Sequence, residues 1–357
     1  MIRGLVLLAC LSLAACNDSA ANNPSSDQTV PDQASPAPSS STEPVLTHPA
    51  SAAVVRLSSI EVPMVPDDED ELINGRLRYL GGIVLRGNHE HFSGLSGLRF
   101  IEDDTAFLAV NDRGNWVTFT PRFRGERLVD VERDGFIWAI LNEGGLPVAD
   151  PFHDSESLEI VGTTAYVGFE RRHRIDSFEN ILSETNPIAV SFRSREVFGE
   201  REFNGSLESL TVLDDHHLLS IAESANDDST MDAWIMDMEN GETEQLSILA
   251  VDPFSITDMA TLPDGDVITL ERRYSPLTGV GARLRLIKAD TIVPGALLDG
   301  EELARFGANH TVDNMEGLAI REIDGRVEIF IISDNNQNPL QRNLLMAFEL
   351  MPGDAAN

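Results

Sequence analysis

Apolar and polar residues alternate in five separate stretches of the chain, and all five stretches share one plan. An alternating run leads into a short turn, and a second apolar run returns from it. The turns include 263–265 (PDG) and 324–325 (DG). Pro, Asp and Gly are residue types that favour tight turns of the backbone. Each stretch is therefore predicted to form an antiparallel β-hairpin.

The predicted hairpins begin and end at polar residues, most of them acidic. The leading residues are Ser96, Glu156, Glu208, Asp258 and Glu316. The closing residues are Asp112, Glu170, Glu223, Glu271 and Asp334. Because an antiparallel hairpin brings its two ends together, we expect all these positions to collect on one face of the fold.

Successive hairpins start 50 to 60 residues apart, which leaves room for four strands in each repeat. The predicted fold is all-β, a β-propeller of five four-stranded blades over residues 53–352. Two further apolar runs, 54–62 and 77–87, lack the hairpin pattern, so a sixth blade is the alternative. An N-terminal strand is expected to pair with the last blade, which closes the ring and removes its open edges. Residues 353–357 are a short tail.

The first 15 residues have one early positive charge and a short apolar run, as in a cleaved signal peptide. Residues 13–16 (LAAC) resemble the lipobox of bacterial lipoproteins, which predicts lipidation at Cys16. A secretory peptide with an incidental cysteine is the alternative. Residues 16–52 are rich in Ser, Pro and Ala and are predicted to be a disordered tether. We expect a monomer in the envelope of a Gram-negative bacterium, anchored to the outer membrane and facing the periplasm.

The formal net charge is −33, from 59 acidic and 26 basic residues. Nucleic acid is repelled by such a surface and is not expected as a partner. Adaptation to salty surroundings explains the overall acidity equally well, so a metal site must be argued from the repeated positions. The two cysteines, Cys10 and Cys16, both belong to the export segment, and no disulfide is expected in the mature protein.

Carboxylates gathered at the mouth of a propeller channel must be protonated, paired with arginine or neutralised by a cation. A hard cation that takes six to eight oxygen ligands, such as Ca²⁺, suits this donor set best. The predicted metal ligands are Glu156, Glu208, Glu223, Asp258, Glu271, Glu316 and Asp334.

Six motifs resemble the phytase-like β-propeller family, described as "esterase-like activity of phytase". They are 93–98 (SGLSGL), 111–114 (NDRG), 204–210 (NGSLESL), 262–272 (LPDGDVITLER), 314–319 (NMEGLA) and 333–336 (SDNN). The resemblance covers residues from about 80 to 350 and implies a secreted or lipid-anchored bacterial propeller that hydrolyses phosphate esters. The related propeller phytases use bridging Ca²⁺ ions.

Arginine or another polar residue follows each closing residue. Guanidinium groups beside metal-bridging carboxylates can hold a phosphate dianion, and the predicted substrate-binding residues are Arg113, Arg171, Arg272 and Asn335. The predicted catalytic residues are Glu208, Glu316, Asp258, Arg113 and Arg272. The expected activity is Ca²⁺-dependent hydrolysis of a phosphorylated small molecule.

Two alternatives remain open. The Glu-Arg pairs at 170–171 and 271–272 could simply be ion pairs between blades. The protein could also be a non-catalytic propeller lipoprotein that binds a ligand or another protein. A serine esterase and a nucleotide-triphosphate enzyme are both unsupported, because the sequence has neither a G-x-S-x-G elbow nor a P-loop.

Overall fold

The computed structural model describes residues 47–199, 207–226, 229–251, 253–277 and 279–353. Regular structure in these segments is almost entirely β-strand, with one short helix, α1 (Arg195–Phe198), and a 3-10 turn at Ala289–Thr291. None of the helices in this part of the chain has the length and apolar character needed to cross a bilayer. Cys16 and the predicted signal peptide lie outside the described residues.

The strands are numbered in chain order. Those in the first half are β1 (Ala53–Val62), β2 (Ile73–Asn74), β3 (Leu77–Gly87), β4 (Leu95–Ile101), β5 (Ala106–Asn111), β6 (Asn115–Phe119), β7 (Pro121–Arg124), β8 (Arg127–Val131), β9 (Asp134–Ala139), β10 (Ser155–Val161), β11 (Thr164–Phe169), β12 (Arg174–Phe178) and β13 (Val190–Arg193). Those in the second half are β14 (Ser209–Val212), β15 (His217–Ile221), β16 (Thr230–Asp237), β17 (Thr243–Leu249), β18 (Ser255–Thr261), β19 (Val267–Ser275), β20 (Gly279–Ile287), β21 (Leu297–Leu298), β22 (Glu301–Phe306), β23 (Asn314–Ile323), β24 (Arg326–Asp334) and β25 (Asn343–Leu350).

The predicted hairpins are the antiparallel pairs β4-β5, β10-β11, β14-β15, β18-β19 and β23-β24. Each pair continues into two further antiparallel strands, which gives the meander β4-β5-β6-β9 and its counterparts β10 to β13, β14 to β17, and β18-β19-β20-β22. The last unit is completed by β3 from the N-terminal part of the chain, which pairs antiparallel with β25. The fold is a β-propeller.

The first strands of the units lie next to one another. β4 contacts β10, β10 contacts β14, β14 contacts β18, β18 contacts β23, and β23 returns to β4. On the outside, β1 pairs with both β3 and β9 and so joins the outer strands of the first and last units. The N-terminal strands therefore protect two sheet edges that would otherwise remain unpaired.

The hydrophobic core lies between neighbouring sheets, because alternate residues of each strand face one neighbour or the other. Trp116 of the first unit, for example, meets Phe178 of the second edge-on, with ring centroids 5.1 Å apart. Phe107 of the first unit similarly meets Phe330 of the last, at 5.4 Å. Burial of these large aromatic residues on both faces of the sheets holds the units at fixed angles around the axis.

A buried arginine fills the axis where the first strands converge. The guanidinium of Arg99, on β4, donates to the carbonyl oxygens of Leu210 on β14 (2.5 Å), Met259 on β18 (2.7 Å) and Leu318 on β23 (2.7 Å). It also contacts carboxylates of Glu159 on β10 and Asp258 on β18, each at 3.1 Å. This single side chain therefore bonds to all the other first strands and forms a polar plug in the channel.

Candidate functional site

A cavity of about 660 Å³ opens where the hairpins begin and end. We call it the acidic cavity. Ser96 of β4, Asn314 and Glu316 of β23, and Arg272 of β19 lie on its wall, so several units contribute to it. A hairpin brings its first and last residues together, and the ring of first strands then places these ends around one opening.

Carboxylates dominate the lining of the acidic cavity. They are Asp112, Asp154, Glu156, Glu170, Glu208, Glu223, Glu316 and Asp334. Arg272 is the one lysine or arginine among the lining residues that the structure describes. So many like charges in one cavity repel one another strongly, and they must hold protons or attract cations.

Burial and mutual repulsion raise the pKa values of these groups. Burial raises the pKa of Glu316 to about 8, with Asp334 and Glu223 adding to the effect and Arg272 opposing it. Burial also raises the pKa of Asp334 to about 6. The pKa values of Glu156 and Glu208 lie well above the usual range, first through burial and then through neighbouring carboxylates. Several of these groups therefore retain protons near neutral pH.

Arg272 lies among three of the carboxylates. Its Nε is 3.0 Å from Glu316 Oε1, and its Nη2 is 3.2 Å from Glu223 Oε1 and 4.0 Å from Glu208 Oε2. Asn314 Nδ2 also donates to Glu316 Oε1, at 2.6 Å. The nearby Glu316 carboxylate raises the pKa of Arg272 above its usual value. The guanidinium is thus a fixed positive charge on one side of the cavity.

Glycine is required at position 94 because the backbone approaches two carboxylates there. Gly94 has a φ of +64°, and a Cβ at this position would lie 2.0 Å from Asp112 Oδ1. Its backbone N–H donates to Asp334. Asp112 and Asp334 belong to different units, so Gly94 lets the carboxylates of both reach one wall of the cavity.

Two groups of carboxylates have the arrangement that a metal ion needs. Asp154, Glu156 and Glu170 offer oxygens within 4.8 Å of one another, and so do Glu170, Glu208 and Glu223. Glu170 belongs to both groups. Donors that are all hard oxygens fit Ca²⁺, which accepts carboxylates in variable geometry and number. The residues present therefore suit the cation that the resemblance implies.

The predicted position of Asp258 at the mouth is wrong. Asp258 is fully buried and accepts hydrogen bonds from the backbone N–H of Leu318 at 2.7 Å and of Met259 at 2.8 Å, besides its contact with Arg99. β18 has the same bulge as β10 and β23, but the bulged residue is Thr257, where β10 has Glu156 and β23 has Glu316. Asp258 is one residue further along, and since successive side chains of a strand point to opposite faces, its side chain points away from the mouth.

Glu271 is a second correction. Its carboxylate is fully buried and bonds to Arg283 and Arg285 of the neighbouring strand, with Arg283 Nε 2.6 Å from Oε2. The same one-residue offset explains this, because Arg272 and not Glu271 is the residue of β19 that reaches the acidic cavity. Glu271 is therefore part of a structural ion network and is unavailable to a metal.

Three predicted substrate-binding residues lie around the acidic cavity without lining it. Arg171 Nε is 2.7 Å from Asp154 Oδ2, so it neutralises one carboxylate of the wall. Arg113 bonds to Gln337. Asn335 accepts a hydrogen bond from the backbone of the same residue, Gln337. The predicted arginine clamp is thus reduced to Arg272 within the cavity.

Asp112, Asp154 and Glu170 line the acidic cavity but are absent from the predicted ligand set. Asp112 and Glu170 close their hairpins in the same way as Glu223 and Asp334, so the repeat pattern could have included them. Asp154 precedes Glu156 by two residues, and its backbone carbonyl pairs with the N–H of Glu170 at 2.9 Å. Because residues two apart on a strand lie on the same face, the position of Glu156 could have indicated that Asp154 also faces the cavity.

The raised pKa values predict how the stability of the metal-free protein depends on pH. A carboxyl group whose folded pKa is raised stabilises the fold fully below its unfolded value, and this contribution is lost as pH rises through the folded value. With Glu316 at about 8 and Asp334 at about 6, the melting temperature should fall by several degrees between pH 5.5 and 8.5. Excess Ca²⁺ should raise it more at pH 8.5 than at pH 5.5, as measured by calorimetric melting. An equal or larger Ca²⁺ effect at pH 5.5 would contradict this.

The sequence matches one known protein family. The phytase-like family, described as "Esterase-like activity of phytase", matches residues 90–337. No curated protein sequence gave a significant match.

Solved structures show distant similarity. An α-L-arabinofuranosidase from Podospora anserina, solved in complex with cellotriose, is 12% identical, with 78% of this chain and 98% of that chain covered and a TM-score of 0.49. The β-propeller domain of Cps50 (Swd1) from Myceliophteria thermophila is 9% identical, with 83% and 100% covered and a TM-score of 0.39. U3-55K is 11% identical, with 85% and 100% covered and a TM-score of 0.39.

Proposed function

Because this chain belongs to the phytase-like family described as esterase-like activity of phytase, we propose that it is a hydrolase of phosphate esters that works with a hard divalent cation. The observation that carries the proposal is the imbalance of charge in the acidic cavity. Eight carboxylates and one arginine cannot bind a phosphate dianion unaided. Cations held by the carboxylates would reverse the local charge and make the cavity attractive to phosphate.

The carboxylates proposed to hold the cation are Asp154, Glu156, Glu170, Glu208 and Glu223. When bound, a cation such as Ca²⁺ supplies positive charge to the phosphate oxygens and polarises the phosphorus. Ser96 Oγ donates to the carbonyl oxygen of Glu156 at 2.7 Å and to its Oε2 at 3.1 Å, which orients that carboxylate. Binding of the cation requires the release of the protons that burial favours on two of its ligands, Glu156 and Glu208.

Arg272 and Glu316 are the proposed residues that act on the substrate. The Arg272 guanidinium, fixed by Glu316 and Glu223, donates to a phosphate oxygen. Glu316, whose pKa burial raises in the metal-free cavity, is the proposed donor of a proton to the leaving alkoxide oxygen. Glu208 Oε2 lies 4.0 Å from Nη2 of the same guanidinium, so Arg272 is next to one of the proposed cation ligands.

The propeller is proposed to have five four-stranded blades, closed by the pairing of β3 with β25. The cyclic contacts of β4, β10, β14, β18 and β23 support this count. In this arrangement β1 is an extra strand that ties the first and last blades together.

The protein is proposed to be a monomeric lipoprotein of the cell envelope, anchored at Cys16 to the outer membrane and facing the periplasm. The LAAC sequence at 13–16 and the composition of residues 16–52 support this proposal. The first described residues are near the opposite side of the propeller from the acidic cavity, since the Thr47 N–H donates to Glu102 in the β4-β5 turn at 3.4 Å.

Turnover by the metal-stripped protein tests the proposal. With Ca²⁺ restored, we expect hydrolysis of p-nitrophenyl phosphate or inositol hexakisphosphate, and a loss of at least about 100-fold in kcat/KM for Glu208→Gln. The matched control is Glu184→Gln, an exposed carboxylate in the β12-β13 connection, which should retain full activity. Absence of turnover with Ca²⁺, Mg²⁺ and Mn²⁺ would reject the hydrolase and favour the non-catalytic binding propeller.

A further inference from the structure

A β-hairpin rises above the acidic cavity on the side of Arg272. The inner strand β18 begins at Ser255, which pairs with Arg272, whereas β19 and β20 remain paired as far as Ser275 and Gly279. Residues 273–277 and 279–281 therefore extend beyond the inner strand and have no β18 neighbour on their inner side. We call them the cavity hairpin.

The cavity hairpin carries apolar side chains into a cavity that is otherwise acidic. Tyr274 pairs with Val280, and both line the cavity. Tyr274 is 70% exposed, and Leu277 near the tip is 96% exposed. Leu340, which is 88% exposed, lies in the loop whose Asn338 and Gln341 form another part of the wall. Of these exposed residues, Tyr274 lines the cavity directly, so its exposed ring is available to a ligand there.

The strand geometry fixes what these side chains can touch. Arg272 and Tyr274 are two residues apart on β19, so their side chains point to the same face, and both line the acidic cavity. A phosphate group held at Arg272 would place its organic substituent beside Tyr274 and Val280. A polar, hydrated substituent would gain nothing from this wall, whereas an apolar one would bury its surface there.

We infer that the cavity hairpin binds the organic group of the substrate and selects phosphate esters with an apolar aryl or alkyl substituent. This inference deepens the proposed function and rests on it for the position of the phosphate. Tyr274 and Val280 are the specificity-determining residues, because both line the acidic cavity. They contact the substituent and not the reacting phosphorus.

The first test compares two substrates in the Ca²⁺-loaded full-length protein. Tyr274→Ser should raise KM for 2-naphthyl phosphate about tenfold, which corresponds to about 1.4 kcal/mol, while KM for glycerol 2-phosphate and both kcat values change less than about twofold. Leu297→Ser, an exposed apolar residue on β21 away from the cavity, is the control and should change neither KM. Equal changes for both substrates, or none, would overturn the inference.

The second test needs no turnover and so separates this inference from the proposed hydrolysis. In calorimetric titrations with Ca²⁺ present, benzylphosphonate should bind the wild-type protein at least about tenfold more tightly than methylphosphonate. Tyr274→Ser should remove that preference, and Tyr274→Phe should keep it. A preference without turnover upholds the inference and rejects the hydrolase. Equal affinity for the two phosphonates, or no binding of either, overturns the inference.

Discussion

Replacement of Arg99 with Met is expected to lower the free energy of unfolding by about 3–5 kcal/mol, the usual cost of leaving buried charges unpaired. The change would strand the carboxylates of Glu159 and Asp258 in the interior. Burial by itself lowers the pKa of Arg99, but Asp258 and Glu159 raise it above its usual value, so the guanidinium is charged at every pH of interest. The carbonyl oxygens that now accept from Arg99 would lose their donor as well.

Urea unfolding followed by circular dichroism measures this effect. Arg56→Met, which removes an exposed arginine paired with Asp134, is the control and should cost less than about 1 kcal/mol. If Arg99→Met fails to fold, the triple variant with Glu159→Gln and Asp258→Asn should recover part of the stability, because no unpaired charge is then buried. A loss no larger than that of the control would show that Arg99 does not join the blades.

Replacement of Glu170 with Gln is expected to weaken Ca²⁺ binding by at least about 100-fold, because this residue belongs to both groups of candidate ligands. At a Ca²⁺ concentration 100 times the wild-type Kd, the stabilisation by the ion would fall from about 2.7 to about 0.4 kcal/mol. The metal-free variant should be as stable as the wild-type protein or more so, since one charge of a repulsive cluster is gone.

Melting with and without Ca²⁺ measures both effects in one series. Glu184→Gln again serves as the control, because it removes an exposed carboxylate outside the cavity and should respond to Ca²⁺ as the wild-type protein does. An undiminished Ca²⁺ response in Glu170→Gln would place the cation elsewhere. Strong destabilisation of metal-free Glu170→Gln would instead show that Glu170 stabilises the fold without a cation.

The repeat pattern was sufficient to predict the hairpins and the convergence of most acidic positions. Alternation of apolar and polar residues indicates a β-strand, and turn residues indicate where the chain reverses. Glu156, Glu208, Glu223, Glu316 and Asp334 therefore lie around one cavity as expected. The N-terminal strand was also expected to pair with the last unit, and β3 does so along most of β25.

In the fourth hairpin the sequence did not predict which residues reach the cavity. Asp258 and Glu271 have the right residue type, but each lies one residue away from the position that is acidic in the second and last hairpins. The bulge position equivalent to Glu156 and Glu316 is Thr257, whose hydroxyl donates to the carbonyl of Met315 at 2.9 Å. Residue types alone do not fix where a bulge falls, so an alignment on acidic residues can be one residue out.

Arg99 was equally hidden from the sequence. An arginine in an alternating strand usually indicates a solvent-facing position, and only the convergence of five strands makes the axis a place where one cation can satisfy many acceptors. The contribution of Arg272 was foreseen, whereas the positions of Arg113 and Arg171 outside the cavity depend on loop geometry that the repeats do not encode.

The proposed function depends on the binding of hard divalent cations in the acidic cavity. Calorimetric titration of Ca²⁺ into the metal-stripped protein at pH 8.5 measures this binding where fewer protons compete for the carboxylates than at pH 5.5. We expect one or two ions per chain with a Kd below about 10⁻⁴ M and weaker binding at pH 5.5. No measurable binding at pH 8.5, or binding that Glu170→Gln leaves unchanged, would contradict it.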